Sequence, residues 1–223
     1  MQRSSFQLKQ SAMMMLLSGL VGLLLVLTAE ARVGNSSGSE LCSVTEPCLQ
    51  FDLICQTEDF EVRHYESVNN VVTDETAFSI DIALVNGFKR LEKYFNGANE
   101  NGAKIDMIEQ IGILVPHGNT LETTYTVFMA LPAEYQETPP TPTGEHVYII
   151  SSLDADVYVQ GYDGLINDKS DNDAAQSLAS DLDSVGANYD KTYHFTGTYS
   201  SPLSITNRHS EVLFVALGEP VCN

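Results

Sequence analysis

The chain has 223 residues and carries 30 acidic against 11 basic side chains, a formal net charge of −19 at pH 7. A surface this acidic repels phosphate backbones and anionic lipids, which argues against nucleic-acid and membrane partners. Any anionic ligand would need a local group of cations, because the overall field opposes its approach.

The first 31 residues have the composition of a secretory signal peptide. Arg3 and Lys9 supply a positive start, residues 12–28 are apolar and uncharged, and Ala29-Glu30-Ala31 matches a small-residue cleavage site. The apolar run is also near the length of a short membrane span, so an uncleaved anchor is the alternative. We predict cleavage and secretion. The leader holds two cations and one carboxylate, so the charge without it is −20.

Residues 32–47 are polar and predict a flexible lead-in, whereas residues 48–223 are enough for one domain with a sizeable core. Within the lead-in, Asn35-Ser36-Ser37 is a glycosylation sequon, which makes Asn35 a candidate modification site in a secreted chain.

The four cysteines predict two disulfides, as is usual in secreted chains. Cys42, Cys48 and Cys55 lie near the mature N-terminus, so if all four pair, Cys222 must bridge back to one of them. A strand between Cys48 and Cys55 would separate them by ~23 Å, and a disulfide needs Cα atoms within ~7 Å. Cys48–Cys55 is therefore the least favoured bridge. The local bridge is Cys42–Cys48 or Cys42–Cys55, and both remain open.

Side-chain periodicity predicts the elements of the first half. Strands are expected at residues 49–55, 60–66, 68–73, 107–115 and 123–131. Between them a helix over residues 77–95 would start at Asp74 or Thr76 as cap and end at Asn96-Gly97. Its apolar face is predicted from positions three and four residues apart, which are Phe78, Ile82, Val85, Phe88, Leu91 and Phe95.

The second half repeats this order after a proline-rich loop at residues 132–144. Strands are predicted at residues 145–151, 155–162, 193–199 and 211–217, with a helix over residues 172–186. Two strand–helix–strand–strand halves in succession suggest a pseudo-two-fold duplication.

The run Asp59-Phe60-Glu61-Val62-Arg63-His64-Tyr65-Glu66 alternates apolar and polar residues, which predicts a half-buried strand. Phe60, Val62 and His64 would share one face, and Arg63 would lie on the other. This placement sets an imidazole beside apolar neighbours. His64 is therefore a candidate iron ligand, and the alternative is a structural histidine bonded to the backbone.

That run resembles the signature strand E-V/I-R-x-Y of the SOUL heme-binding family. Other segments are similar, in the same order, to the family motifs K-Y-x-x-G-x-N, K-I-x-M, P-P-x-P, F-x-G, G-Y-x-x-P and R-x-N-E-V-W. They are Lys93-Tyr94-Phe95-Asn96-Gly97-Ala98-Asn99, Lys104-Ile105-Asp106-Met107, Pro139-Pro140-Thr141-Pro142, Gly161-Tyr162-Asp163-Gly164, Gly197-Thr198-Tyr199-Ser200-Ser201-Pro202 and Asn207-Arg208-His209-Ser210-Glu211-Val212. The resemblance implies an α+β fold, a distorted antiparallel β-barrel flanked by two helices.

The resemblance also implies a heme pocket, with departures. Val85 aligns where one branch of the family has a pocket arginine, and Phe88 and Lys93 fall at that branch's other pocket positions. Leu213 replaces the C-terminal tryptophan, and Ile108-Glu109-Gln110-Ile111 replaces T-x-P-V. The heme site implied in this way consists of His64, Val85, Phe88 and Lys93, with Lys93 pairing a propionate and Arg63 as a less favoured second cation.

Other chemistry has little support. His117, His146, His194 and His209 show no zinc-binding spacing. Asp168, Asp171 and Asp173 fit helix capping better than calcium, because the glycine and terminal glutamate of an EF-hand are missing.

The sequence shows no nucleophile-elbow, P-loop or Rossmann motif. The absence of these motifs argues against an enzyme. The leader and the resemblance to the SOUL family together imply a secreted tetrapyrrole-binding protein, a heme carrier or scavenger. The alternative is an interaction protein on the same fold that has lost heme binding.

Overall fold

Antiparallel pairing dominates the computed structural model, which describes residues 33–34, 48–108, 110–118, 122–199 and 209–222. The strands are β1 (Val33–Gly34), β2 (Cys48–Leu49), β3 (Asp52–Gln56), β4 (Glu61–Tyr65), β5 (Asn69–Ala77), β6 (Ile111–Pro116), β7 (Thr123–Ala130), β8 (Val147–Ser151), β9 (Ala155–Asp163), β10 (Tyr193–Thr198) and β11 (His209–Val215). The helices are α1 (Ile80–Phe95) and α2 (Asp168–Ser184), and a 3₁₀ turn covers Ala133–Tyr135. Within the described residues, no helix is long and apolar enough to cross a membrane.

Each predicted strand appears, except that the one expected at residues 49–55 is divided between β2 and β3. The strands form a nine-stranded sheet in the order β3-β4-β9-β11-β10-β6-β7-β5-β8, with β1 and β2 paired separately. The sheet is not closed, but three-residue links join β4 to β5 and β8 to β9. This α+β arrangement is the distorted barrel with two helices that the sequence predicts.

The strand order is symmetric about the pairing of β6 with β10. On one side lie β7, β5 and β8, and on the other lie β11, β9 and β4, followed by β3, which has no counterpart. In each half the strand before the helix pairs with the second strand after it. The described topology thus has the pseudo-two-fold relation that the repeated order of elements suggests. Each helix covers a core of its own beneath it.

The helix starts differ from the prediction. Asp74 and Thr76, the predicted caps of α1, lie inside β5, and the helix begins after Ser79. The backbone N–H of Ile80 instead donates to Asp168 Oδ1 at 2.9 Å, so the cap comes from a distant part of the chain. The start of α2 lies four residues before the predicted 172, because the Asn167 side chain accepts hydrogen bonds from the backbone of Lys169 and Ser170.

The buried face of α1 also differs from the prediction. Phe88, Leu91 and Phe95 are buried as expected, but Phe78 is 67% exposed and Ile82 is 48% exposed. Phe78 precedes the first residue of α1, and the exposure of Ile82 follows from Gly87, where a Cβ atom would lie only 2.5 Å from Val127 Cγ2. This close approach to β7 fixes the rotation of the helix and turns Ile82 outwards. The predicted end of the helix at Asn96-Gly97 is confirmed, and Gly97 has the left-handed φ of 107°.

A disulfide joins Cys55 to Cys222 across 167 residues, with the Cα atoms 6.0 Å apart. Cys222 therefore reaches back to the N-terminal cysteines as predicted, and the alternative bridge Cys42–Cys55 is excluded. A local bridge then requires Cys42 and Cys48. Residue 42 lies outside the described residues, as do the leader and Asn35, so those predictions remain predictions.

Candidate functional site

The signature strand β4 places Arg63 in a buried ion cluster rather than in a ligand site. Its Nη1 and Nη2 donate to the two carboxylate oxygens of Glu211 at 3.0 and 2.8 Å, and its Nε donates to Glu61 at 2.7 Å. The guanidinium also lies 4.1 Å from the ring centre of Phe51. Burial opposes the charged form, but the hydrogen bonds and charge of Glu211 outweigh it and raise the pKa of Arg63. The guanidinium of Arg63 therefore stabilises the fold, because its three nitrogens already bind Glu61 and Glu211.

His64 lies at the end of the same strand and contacts carboxylates rather than apolar groups. Its Nδ1 is 2.8 Å from Asp156 Oδ1, and its Nε2 is 3.6 Å from Asp154 Oδ1. The cause is the pairing of β4 with β9, which sets His64 opposite Asp156. The hydrogen bond to Asp156 and the charge of Asp154 raise the pKa of His64 despite partial burial. Both ring nitrogens of His64 therefore face carboxylates rather than an apolar ligand pocket.

A cleft of about 340 Å³ opens beside the C-terminal end of α1. This volume is within the range of ~300–1,000 Å³ that is common for small-molecule sites. We call it the α1 cleft, and its lining residues are Arg90, Lys93, Tyr94, Ala98, Gly144, Glu145, His146 and Val147.

Two motifs that are separate in sequence build the wall of the α1 cleft. The hydroxyl of Tyr94 donates to the Pro140 carbonyl at 2.8 Å, and the backbone N–H of Thr143 donates to the Ala98 carbonyl at 3.1 Å. Asn99 forms an isolated β-bridge with Pro142. The K-Y-x-x-G-x-N segment therefore holds the P-P-x-P loop against the helix end, which fixes residues 144–147 that follow.

The lining of the α1 cleft carries two cations, Arg90 and Lys93, and one carboxylate, Glu145. Arg90 Nη2 lies 3.0 Å from Glu75 Oε1, and Arg90 Nη1 donates to Thr73 Oγ1 at 3.3 Å. Lys93 is exposed and forms no ion pair with any residue in the described ranges. A cation at this position also suits the negative end of the helix dipole.

The structure does not bring the four predicted heme-site residues together. Lys93 lines the α1 cleft, whereas Phe88 is buried in the core beneath the helix and does not line the cleft. Val85 is half-buried and does not line the cleft. His64 lies on β4, which pairs with β9 in the other half of the sheet.

A second cleft, of about 570 Å³, lies beside α2 and has the opposite character. Its lining includes the carboxylates of Glu58, Asp59, Asp163 and Asp173, and no lysine or arginine. We call it the α2 cleft. Its charge disfavours an anionic ligand such as a tetrapyrrole dicarboxylate.

Residues 46–215 match the family model described as SOUL heme-binding protein. The chain belongs to the SOUL heme-binding protein family. Heme-binding protein 2 of Homo sapiens is 31% identical over 167 residues, which cover 74% of this chain and 82% of the human protein. Heme-binding protein 2 of Mus musculus is 29% identical over 195 residues, 86% of this chain and 95% of the mouse protein.

Among solved structures, an uncharacterized conserved protein from Listeria innocua aligns with this SOUL-family chain over 72% of its length and 93% of the bacterial chain. The sequence identity is 11% and the TM-score is 0.48.

The sequence does not predict a chain of polar contacts in this SOUL-family protein, which leads from the exposed His117 to three buried residues. Nε2 of His117 lies 2.8 Å from Nδ1 of His194, whose Nε2 lies 2.9 Å from Asp171 Oδ2, and Thr196 donates to the same carboxylate. Asp171 therefore neither caps a helix nor belongs to a calcium site. No sequence spacing reveals this chain, because the pairing of β6 with β10 assembles it. Within the described ranges, no group of three or more His, Cys, Asp or Glu residues is suited to hold a metal ion.

Proposed function

We propose that this SOUL-family protein binds heme in the α1 cleft. The observation that carries the proposal is the pair of cations, Lys93 and Arg90, that lines one cleft of a chain with a net charge of −19. Heme carries two propionates, and carboxylates bind well to such cations. The names of the relatives, heme-binding protein 2, support the same ligand.

The α1 cleft contains both the cations and the apolar side chains that a tetrapyrrole would contact. Lys93, which lacks an ion-pair partner in the described part of the chain, would hold one propionate, while Arg90 shares its charge with Glu75. Ala98 and Val147 offer apolar surface for the macrocycle. We propose binding without catalysis, as a carrier or scavenger.

We further propose that the protein is secreted. The leader at residues 1–31 supports this, as does the disulfide Cys55–Cys222, because such bonds persist in oxidising compartments. Full-length protein expressed in cultured cells should enter the medium with its N-terminus near residue 32. Protein retained in the cells with an intact leader would contradict secretion.

Heme titration followed by the Soret band tests the binding proposal. Lys93→Glu should weaken heme binding about five-fold, because an exposed charge pair contributes up to ~1 kcal/mol. Binding of the uncharged porphyrin dimethyl ester should change much less. Lys89→Glu is the matched control, since Lys89 is an exposed lysine one turn earlier on α1 that does not line the cleft.

Two results would contradict heme binding in the α1 cleft. Equal effects of Lys93→Glu and Lys89→Glu would place the ligand elsewhere. The absence of any Soret change with folded wild-type protein would favour the alternative, an interaction protein that has lost heme binding, which the valine at position 85 also favours.

A further inference from the structure

We infer that His146 is the residue that ligates heme iron, an inference that rests on the proposed function. His146 lines the α1 cleft together with Lys93 and Arg90. The cleft thereby combines a nitrogen donor for iron with cations for propionates, and imidazole is a common axial ligand of heme. His64, the candidate from the sequence, lies in the other half of the sheet.

The backbone of His146 is unusual. Its φ is 61°, in the left-handed region, and it is the one non-glycine residue with positive φ in the described part of the chain. Such a conformation is uncommon outside glycine, although histidine, asparagine and aspartate adopt it more readily than other residues. Conformations of this kind persist where the surroundings fix them, and they are concentrated at ligand sites.

The surroundings of His146 do fix it. The preceding loop is held to the end of α1 through Pro140 and Thr143, and β8 begins directly after it at Val147. The side chain is therefore presented from a short segment anchored on both sides. An imidazole positioned in this way loses little conformational entropy when it binds a ligand.

The ring of His146 is also available. The chain has five histidines, and in the described residues the other four rings have partners. These partners are Asp156 for His64, the Lys191 carbonyl for His117, Asp171 for His194 and Asp163 for His209. Within the same residues, the ring of His146 forms no hydrogen bond or ion pair, although it is exposed in a cleft.

Among the other side chains of the cleft, Tyr94 and Lys93 are poorer ligands for heme iron than an imidazole, and Glu145 supplies a carboxylate rather than a nitrogen. The hydroxyl of Tyr94 is buried and donates to the Pro140 carbonyl, and burial raises its pKa to about 12, which disfavours the phenolate that iron would need. Lys93 carries a positive charge that suits a propionate. The two roles therefore divide between Lys93, which sets affinity, and His146, which sets the coordination of the iron.

The test compares the absorption spectra of the ferric and ferrous–CO forms of the full-length protein with those of three variants. His146→Asn removes the imidazole but keeps a residue that tolerates the left-handed backbone. His146→Gly removes both the imidazole and the strain, so it cannot fail to fold on that account. His64→Asn is the matched control.

We expect both His146 variants to shift the Soret maximum and to weaken heme binding about ten-fold or more. Added free imidazole should restore the wild-type spectrum in His146→Gly, which a purely structural role would not produce. His64→Asn should leave the spectrum unchanged, and Lys93→Glu should lower affinity without moving the band.

An unchanged spectrum in both His146 variants would overturn this inference while leaving heme binding intact. A shifted spectrum in His64→Asn alone would assign the ligand role to His64 instead. A wild-type protein that gives no Soret change would overturn the proposed function and this inference together.

Discussion

The two halves of the sheet share one order of strands but differ in the charge beside their helices. In the first half, Lys93 lies in the last turn of α1, and Arg90 joins it at the α1 cleft. In the second half, the last turn of α2 holds no basic residue, and the α2 cleft is lined by carboxylates. A duplicated framework thus carries two cations beside the helix of one half and only acidic charged residues beside the helix of the other, since one fold can hold different sets of side chains.

The second half of the sheet contains buried charged and polar pairs that hold the fold together. Glu211 on β11 binds Arg63 through both oxygens and also accepts a hydrogen bond from Tyr199 at 2.7 Å. In the same half, Asp171 of α2 and His194 of β10 are buried and lie in contact. If this division holds, variants of the second half should lower stability, and variants of the α1 cleft should lower ligand binding.

The largest effect is expected from Glu211→Ala. Removing Glu211 deletes the bidentate partner of the buried Arg63 and leaves only the partly exposed Glu61 as its ion-pair partner, which should lower the free energy of unfolding by ~3–5 kcal/mol. Urea unfolding followed by circular dichroism measures this. Glu219→Ala, an exposed glutamate in the same half, is the control and should change stability by less than ~0.5 kcal/mol. A loss for Glu211→Ala no larger than the control's would contradict the framework role.

The next largest loss in the free energy of unfolding is expected from Cys222→Ser. The bond to Cys55 closes a separation of 167 residues, and removal of a native disulfide from a secreted domain costs ~2–5 kcal/mol. Thermal unfolding of the variant under non-reducing conditions gives the measurement. Peptide mapping that finds Cys222 as a free thiol in the wild-type protein would contradict the pairing.

The smallest effect concerns His64 and depends on pH. Because its pKa is raised in the folded state, the pair with Asp156 stabilises the fold most below the ordinary histidine pKa of ~6.5. That contribution disappears as the pH rises through the folded-state pKa. His64→Gln should therefore reduce the free energy of unfolding at pH 5.5 and have little effect at pH 8.5.

Asp156→Asn should remove the same pH-dependent contribution, since it deletes the partner of His64. Urea unfolding at the two pH values separates this effect from a general loss of stability. A His64→Gln variant that is equally destabilised at both pH values would show that the ring packs in the fold without its charge mattering.

Local sequence determines the elements of this protein and their family. The alternation of apolar and polar residues predicts β4, and apolar residues three and four positions apart predict the two helices. Asn96-Gly97 predicts the end of α1. These features are local because backbone conformation depends on neighbouring residues. The motifs that indicate the SOUL family are likewise read from order alone. The requirement that Cys222 bridge back to an N-terminal cysteine also follows from position along the chain.

Tertiary structure decided the features that depend on distant partners. The cap of α1 comes from Asp168, and the contact of Gly87 with Val127 turns Ile82 outwards, so neither is visible in the helix sequence itself. The register of β4 against β9 places Asp156 beside His64 and gives that histidine a carboxylate in place of apolar neighbours.

The α1 cleft is the clearest case. Lys93 was predicted from the sequence and Arg90 lies three residues earlier on the same helix, but His146 joins them only because the proline-rich loop folds back onto the end of the helix. Periodicity and motif spacing describe residues a few positions apart, whereas a site joins segments about fifty residues apart through strand register and loop packing. The helix sequence therefore places the two cations of the proposed site side by side, and the three-dimensional fold adds His146.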